Sequence, residues 1–128
     1  MTGQQLSNGP RNLLLIDAGT FVGDLVLKVM TERGWRVTTA GSHEAARQAI
    51  ASSRFDRLLI NCYPSRIEAL ELLDDRQTTV NADTPAGVLA GPSPAEMDEA
   101  RKRGAAWVRE FSSIASPREL VRLVETAG

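Results

Sequence analysis

Short apolar runs alternate along the chain with longer segments whose apolar residues recur at helical spacing. The runs at residues 13–16, 58–60 and 86–90 have no polar face. Such runs are typical of strands covered on both sides by helices. Residues 35–39, where apolar and polar side chains alternate, and residues 106–108 complete a set of five predicted strands.

Five helical segments follow these strands. In the first, the apolar residues between Phe21 and Met30 share one face, and Gly34 is predicted to end the helix. Serines at suitable positions predict the starts of the others: Ser42, Ser65, Ser93 and Ser116. Strands that alternate with helices imply parallel pairing through right-handed crossovers. We therefore predict a doubly wound α/β fold, flavodoxin-like, with a five-stranded parallel sheet and five helices.

Composition narrows the class of protein. The chain has 128 residues and a net charge of about −1, so neither nucleic acid nor an anionic membrane surface is an expected partner. One cysteine and one histidine exclude an internal disulfide and the common Cys and His metal motifs. No apolar run is long enough to span a membrane, and no signal pattern is present, so we expect a cytoplasmic protein. Residues 1–11 are predicted to be a flexible leader before one domain at residues 12–128.

The order of these motifs resembles the response-regulator receiver domain, the module that is phosphorylated on aspartate in two-component signalling. The resemblance covers residues 11 to 127. It rests on five segments, each matching the start or end of a strand in that family: residues 14–19, 33–37, 56–61, 85–91 and 103–107. Each motif is short, so the resemblance depends on the order and spacing of all five segments together.

The resemblance also implies positions for the phosphorylation chemistry, and this chain departs from the family at most of them. The acidic pair that binds Mg²⁺ in the family corresponds to Asp17 and Ala18, so only one carboxylate remains. The phosphorylated aspartate corresponds to Asn61, an amide that cannot form an acyl phosphate. The hydroxyl residue that ends the fourth strand corresponds to Ala90.

The family's lysine has no counterpart after the fifth strand. The candidate positions are Arg109, Glu110 and Phe111, of which Glu110 fits best if Trp107 is the family's switch aromatic residue. Pro64 also follows Asn61 one residue earlier than the family's proline. The joint loss of these positions predicts a domain that does not run the phosphoryl cycle and that requires no metal or other cofactor.

The first functional hypothesis is a receiver-like (pseudo-receiver) signalling domain, not an enzyme, that acts through protein–protein contact without phosphorylation. Its partner would be another protein or a second copy, bound at the face formed by the fourth helix, fifth strand and fifth helix. The residues predicted there are Trp107, Arg109, Arg101 and Arg103. Trp107 is either an exposed anchor or a half-buried residue that packs on its neighbours. The basic residues either bind an acidic partner or complement the helix dipole.

A second hypothesis is a small-ligand sensor. In this hypothesis Asp17, Asn61 and Ala90 border a neutralised pocket that binds a nucleotide or another metabolite. Phosphorylation of a displaced carboxylate such as Asp56 or Asp17 is disfavoured, and Asp56 is predicted to lie at the far end of its strand from the pocket. An enzyme is disfavoured because the sequence shows no nucleophile with an adjacent base.

Overall fold

The sheet is parallel and has five strands in the order β2-β1-β3-β4-β5. The structure is a computed structural model that describes residues 11–63 and 66–126. The predicted leader at residues 1–11 therefore lies almost entirely outside the described residues, as do Pro64 and Ser65. The strands are β1 (Asn12–Ile16), β2 (Arg36–Ala40), β3 (Arg57–Asn61), β4 (Ala86–Ala90) and β5 (Trp107–Glu110).

The helices lie on both sides of this sheet, which confirms the predicted doubly wound fold. They are α1 (Phe21–Arg33), α2 (His43–Ser52), α3 (Glu71–Asp75), α4 (Pro94–Lys102) and α5 (Pro117–Thr126). The short α3 is continued by 3₁₀ turns at Ile67–Leu70 and Arg76–Thr78. The predicted serine caps are present at α2 and α4, where Ser42 and Ser93 accept hydrogen bonds from backbone N–H groups of the first turn.

Each strand contributes side chains to two apolar layers. In β1, Leu14 and Ile16 pack in one layer with residues of α2 and α4, whereas Leu13 and Leu15 pack in the other with residues of α1 and α5. Successive strand side chains point to opposite faces, and both faces are covered here. The absence of a polar face in the central strands follows from this double coverage. No helix within the described residues is long and apolar enough to cross a membrane.

Three predicted boundaries were wrong by a few residues. β2 begins at Arg36 because the Trp35 N–H still bonds to the Met30 carbonyl at the end of α1. The fourth helix ends at Lys102, and Gly104 takes the turn that follows with a φ of 95°. β5 runs to Glu110, so two residues predicted to lie after the strand belong to it.

Candidate functional site

Four of the residues singled out from the sequence meet at the carboxyl edge of the sheet. Asp17 directly follows β1, and Asn61, Ala90 and Glu110 are the last residues of β3, β4 and β5. In doubly wound folds this edge carries ligands and chemistry. Ala90 lies opposite Glu110 in the register of β4 and β5. The register therefore places Glu110, rather than Arg109, beside Ala90.

The Asp17 carboxylate is fully engaged within the protein. Its Oδ1 accepts hydrogen bonds from the Asn61 side-chain amide (2.6 Å) and the Thr20 hydroxyl (2.8 Å). Its Oδ2 accepts from the backbone N–H groups of Gly19 (3.0 Å) and Thr20 (2.9 Å). The carboxylate thus joins the end of β1 to the central strand and to the start of α1.

Asn61 has a fixed orientation in this network. A carboxylate only accepts hydrogen bonds, so the amide must present its NH₂ group to Asp17. The same Nδ2 lies 3.1 Å from the Thr20 hydroxyl oxygen, and Oδ1 accepts from the Tyr63 N–H at 3.1 Å. The residue is only 2% exposed. Both ends of the side chain are therefore used internally, and neither is presented to solvent.

Thr20 is a member of the site that was not among the candidate residues singled out from the sequence. Its hydroxyl donates to Asp17 and accepts from the Gly23 N–H at 3.2 Å, which makes it the N-cap of α1. The signal was a threonine immediately before an apolar helical pattern, the position where a side-chain cap is favoured. Thr20 thus couples the helix start to the strand-end carboxylate.

Gly23 makes room for that carboxylate inside α1. The glycine is buried, and a Cβ atom built on it would overlap the Cγ and Oδ2 atoms of Asp17. Glycine within a helix normally costs stability, so its presence has a packing reason here. We infer that the close approach of α1 to Asp17 requires this residue.

Two ionisable groups at this edge have shifted pKa values. Partial burial raises the pKa of the Asp17 carboxyl, but the hydrogen bonds from Asn61, Thr20 and Gly19 together outweigh it and hold the pKa below its ordinary value. The charged carboxylate therefore stabilises the fold at neutral pH, and this contribution is lost as the pH falls through the lowered pKa. Burial, with the charges of Glu96 and Glu68, raises the pKa of the Cys62 thiol to about 12. The thiol therefore remains protonated and unreactive.

The donor set at this edge does not fit the Mg²⁺ ion that the family resemblance implies. Mg²⁺ requires near-octahedral oxygen ligands. Both carboxylate oxygens of Asp17 already accept hydrogen bonds, and Ala18 has no side-chain oxygen. Asn61 directs its NH₂ group, not its oxygen, toward Asp17. Across residues 11–63 and 66–126, no three His, Cys, Asp or Glu side chains are grouped to hold a metal ion. The Asn61 amide nitrogen already lies 2.6 Å from Asp17 Oδ1, at hydrogen-bond distance.

The side chains at the end of β5 are also engaged. The Glu110 carboxylate accepts a hydrogen bond from the Ser112 hydroxyl at 2.7 Å. The Arg109 guanidinium pairs with Glu119 of α5 at 2.8 Å and donates to Ser113. Within the described residues, neither side chain makes a hydrogen bond to Asn61, whose partners are Asp17, Thr20 and Tyr63.

The other predicted interface residues lie in three different environments. The Trp107 indole covers Gly87 of β4, where it would overlap a Cβ atom, and it packs against the apolar layer under α1 and α5. This position matches the half-buried alternative for Trp107. Arg103 pairs with Asp74 of α3 at 3.1 Å and with Glu99 of its own helix at 2.8 Å. Within residues 11–63 and 66–126, the ion pair of Arg101 is with Asp98 on its own helix, and its side chain is 55% exposed.

A cleft of about 310 Å³ lies beside Asp17. It lies between α1 and the end of β2 and is lined by Asp17, Gly19, Asp24, Thr39 and Gly41, among others. Asn61 and Ala90 do not line it. The cleft beside Asp17 is therefore not the pocket expected for a small-ligand sensor. That pocket would be bordered by Asp17, Asn61 and Ala90 together.

No family model matches the sequence, and no curated protein matches it either. The fold, in contrast, is shared with many solved structures. A CheY-like receiver domain from Methanospirillum hungatei is 18% identical, with a TM-score of 0.76 over 89% of this chain and 90% of that one. The chemotaxis protein CheY4 of Vibrio cholerae is 19% identical, with a TM-score of 0.77 over 94% and 100%.

A third structure is the receiver domain of a sensor histidine kinase from Pseudomonas aeruginosa, with magnesium coordinated in its active-site cleft. It is 16% identical, with a TM-score of 0.72 over 90% of this chain and 94% of that one. At these levels of identity the matches establish the fold alone. They confirm the receiver-type architecture that the sequence motifs predicted.

Proposed function

Because the chain has the fold of a response-regulator receiver domain, we propose that it is a cytoplasmic module of two-component-type signalling that acts by binding proteins, without aspartate phosphorylation and without enzymatic activity. The observation that carries this proposal is the hydrogen bond between the Asn61 amide and the Asp17 carboxylate. It joins the two residues that the family resemblance assigns to metal binding and to phosphorylation.

The chemistry of this contact supports a module without a phosphoryl switch. An amide is a poor nucleophile and cannot be converted into an acyl phosphate by a phosphoryl donor. The Asp17 carboxylate accepts four hydrogen bonds from uncharged donors, which stabilise its negative charge within the protein. The strand-end network is therefore complete in the absence of Mg²⁺.

We propose the α4–β5–α5 face as the contact surface for a protein partner or a second copy. β5 is the last strand in the sheet order, and among the described residues no strand pairs with its outer edge. Arg101 is the most accessible of the four residues predicted for this face, and Lys102 beside it is also exposed. Trp107 supports β5 from within the apolar layer, so its removal would affect packing as well as binding. Arg101 is therefore the better position for a test.

Arg101→Glu is expected to weaken partner capture about tenfold without changing the fold. The residue is exposed, and charge reversal opposes an acidic partner surface. The wild-type domain and the variant would be immobilised and exposed to extract from the source cells, with and without acetyl phosphate, and bound proteins would be quantified by mass spectrometry.

The control is Arg54→Glu, the same charge reversal at an exposed position between α2 and β3. The proposal predicts a captured set that is insensitive to acetyl phosphate, reduced by Arg101→Glu and unchanged by Arg54→Glu. Capture that depends on acetyl phosphate would contradict phosphorylation-independent action. Equal capture by Arg101→Glu and wild type would contradict the α4–β5–α5 face.

A further inference from the structure

The outer side of β2 has no neighbouring strand. β2 is the first strand in the sheet order, and among the described residues no strand pairs with its outer side. Bulges, prolines and charged side chains commonly protect such edges from pairing with another chain. β2 pairs continuously with β1 over its full length, contains no proline, and has one charged residue, Arg36, at its start. A further strand could therefore pair with this edge.

The backbone groups of Val37 and Thr39 are directed to this open side. The Arg36 N–H donates to the Arg11 carbonyl at 2.8 Å and so faces β1. In a strand, the N–H and C=O groups of successive residues alternate between the two neighbouring strands. The N–H and C=O groups of Val37 and Thr39 therefore face away from β1, and they offer two donors and two acceptors to an added strand.

The side chains of the same two residues lie on the α1 side of the sheet. Val37 packs against the apolar layer that includes residues of α1, and Thr39 lines the cleft of about 310 Å³ beside Asp17. On its α1 side this cleft is bounded by Asp24 and Leu27. The open backbone groups and a recess that can accept side chains are therefore adjacent.

A second recess continues along the same flank of α1. It has a volume of about 500 Å³ and is lined by Asp24, Leu27, Lys28, Thr31 and Glu32. Asp24 and Leu27 line both recesses, so the two adjoin. This flank of α1 is about 12 Å long and β2 is about 16 Å long, so a short added strand would lie beside both. We call the open side of β2 and these two recesses together the β2–α1 edge.

The end of the β2–α1 edge near the strand-end site is acidic. Asp17 and Asp24 line the cleft there, and none of the described residues that line it is basic. Asp24 is exposed and makes no salt bridge within residues 11–63 and 66–126, whereas Glu32 at the other end is paired with Lys28 at 2.6 Å. This arrangement complements a strand with a basic side chain beside Asp24 and an apolar one beside Leu27.

We propose that the β2–α1 edge binds an extended segment of another protein, which adds a strand to the sheet and directs a basic side chain toward Asp24. Main-chain hydrogen bonds to Val37 and Thr39 supply affinity, and the recesses select the side chains at alternate positions. The site lies on the β2 side of α1, whereas Leu25 and Val29 line a groove toward α5. The proposal goes beyond the proposed function and does not depend on it.

The test uses a fluorescent peptide of sequence Thr-Lys-Thr-Val-Thr-Lys-Thr, added to the isotope-labelled protein. Its palindromic order presents the same side chains in either strand direction, with lysine and valine on one face. The expected result is saturable binding with amide shifts at Val37, Thr39 and Gly41. Hydrogen exchange of the Val37 and Thr39 N–H groups should slow on binding, because these groups become bonded to the peptide.

Two variants separate the backbone contribution from the charge contribution. Thr39→Pro removes an outward N–H group but no bond to β1, a position where proline is tolerated in edge strands, and it should weaken binding about tenfold. Asp24→Asn should weaken binding about threefold. The matched control is Asp98→Asn on α4, where the side chain is 68% exposed, and it should bind like wild type.

Several results would overturn the proposal. Equal binding of a peptide with glutamate in place of lysine would remove the role of Asp24. Shifts that fall outside β2 and α1, or no saturable binding, would exclude the β2–α1 edge. Val37 and Thr39 amides that already exchange slowly in the free protein would show that the edge is already paired. Self-association in sedimentation that is abolished by Thr39→Pro would make a second copy the occupant instead. Arg101→Glu should leave peptide binding unchanged, so failure of this proposal is distinct from failure of the α4–β5–α5 contact.

Discussion

Asn61→Asp should destabilise the domain at pH 7 by about 2–4 kcal/mol, because it removes a buried hydrogen bond to a charged group and places a second carboxylate against the first. The Asn61 Nδ2 lies 2.6 Å from Asp17 Oδ1, so the aspartate oxygen would replace a donor at contact distance. The substitution is nearly isosteric, and the expected effect is therefore electrostatic rather than steric.

The measurement is urea unfolding of the variant and of wild type at pH 7 and near pH 4.5. In the variant, repulsion raises the folded-state pKa of one carboxyl of the pair, so the penalty should shrink as the pH falls and the two carboxyls share a proton. Asn61→Ala is the control, since it removes the donor without adding charge and should cost less at pH 7. An Asn61→Asp variant as stable as wild type at pH 7 would contradict the Asp17–Asn61 contact.

Gly23→Ala should also be destabilising, by about 1–3 kcal/mol, because the added methyl group overlaps the Asp17 carboxylate and forces α1 or the carboxylate to move. Helix propensity predicts the opposite sign, since alanine is favoured over glycine by about 1 kcal/mol in a helix interior. The sign of the measured change therefore separates packing against Asp17 from intrinsic propensity.

The matched control for this substitution is Gly41→Ala. Gly41 also neighbours Asp17, but a Cβ atom there would lie 3.8 Å from the backbone oxygen, an ordinary contact distance. Both variants would be compared with wild type by thermal and urea unfolding. A Gly23→Ala variant that is as stable as wild type, or more stable, would show that α1 does not depend on the close approach to Asp17.

The fold could be predicted because its signals are local. Uninterrupted apolar runs such as that at residues 58–60 mark strands buried on both sides, and the serines before α2 and α4 mark helix starts. The strand-end position of Asp17, Asn61 and Ala90 follows from the same pattern, because the ends of parallel strands share one edge. Boundaries such as the end of β5 at Glu110 depend on pairing with β4, which no local pattern contains.

The interactions within the site could not be predicted in the same way. The bond between Asp17 and Asn61 joins residues 44 positions apart, and the pair of Arg103 with Asp74 joins residues 29 positions apart. Residue type indicates that an arginine is charged, but only tertiary structure shows whether a neighbour has already neutralised it. Gly87 is a further example. The Trp107 indole leaves no room for a Cβ atom at this position, and the sequence alone does not show that the two residues are in contact.

The central claim, that the strand-end site does not run the phosphoryl switch, is tested most directly by amide NMR. The labelled domain would be titrated with Mg²⁺ to millimolar concentration and then with beryllofluoride, a mimic of the phosphoryl group. We expect no saturable shifts at the amides of Asp17, Thr20 and Asn61. Saturable shifts clustered on these residues would show that the site still binds a cation or a phosphoryl-like anion, and the proposal of a module without a phosphoryl switch would then be wrong.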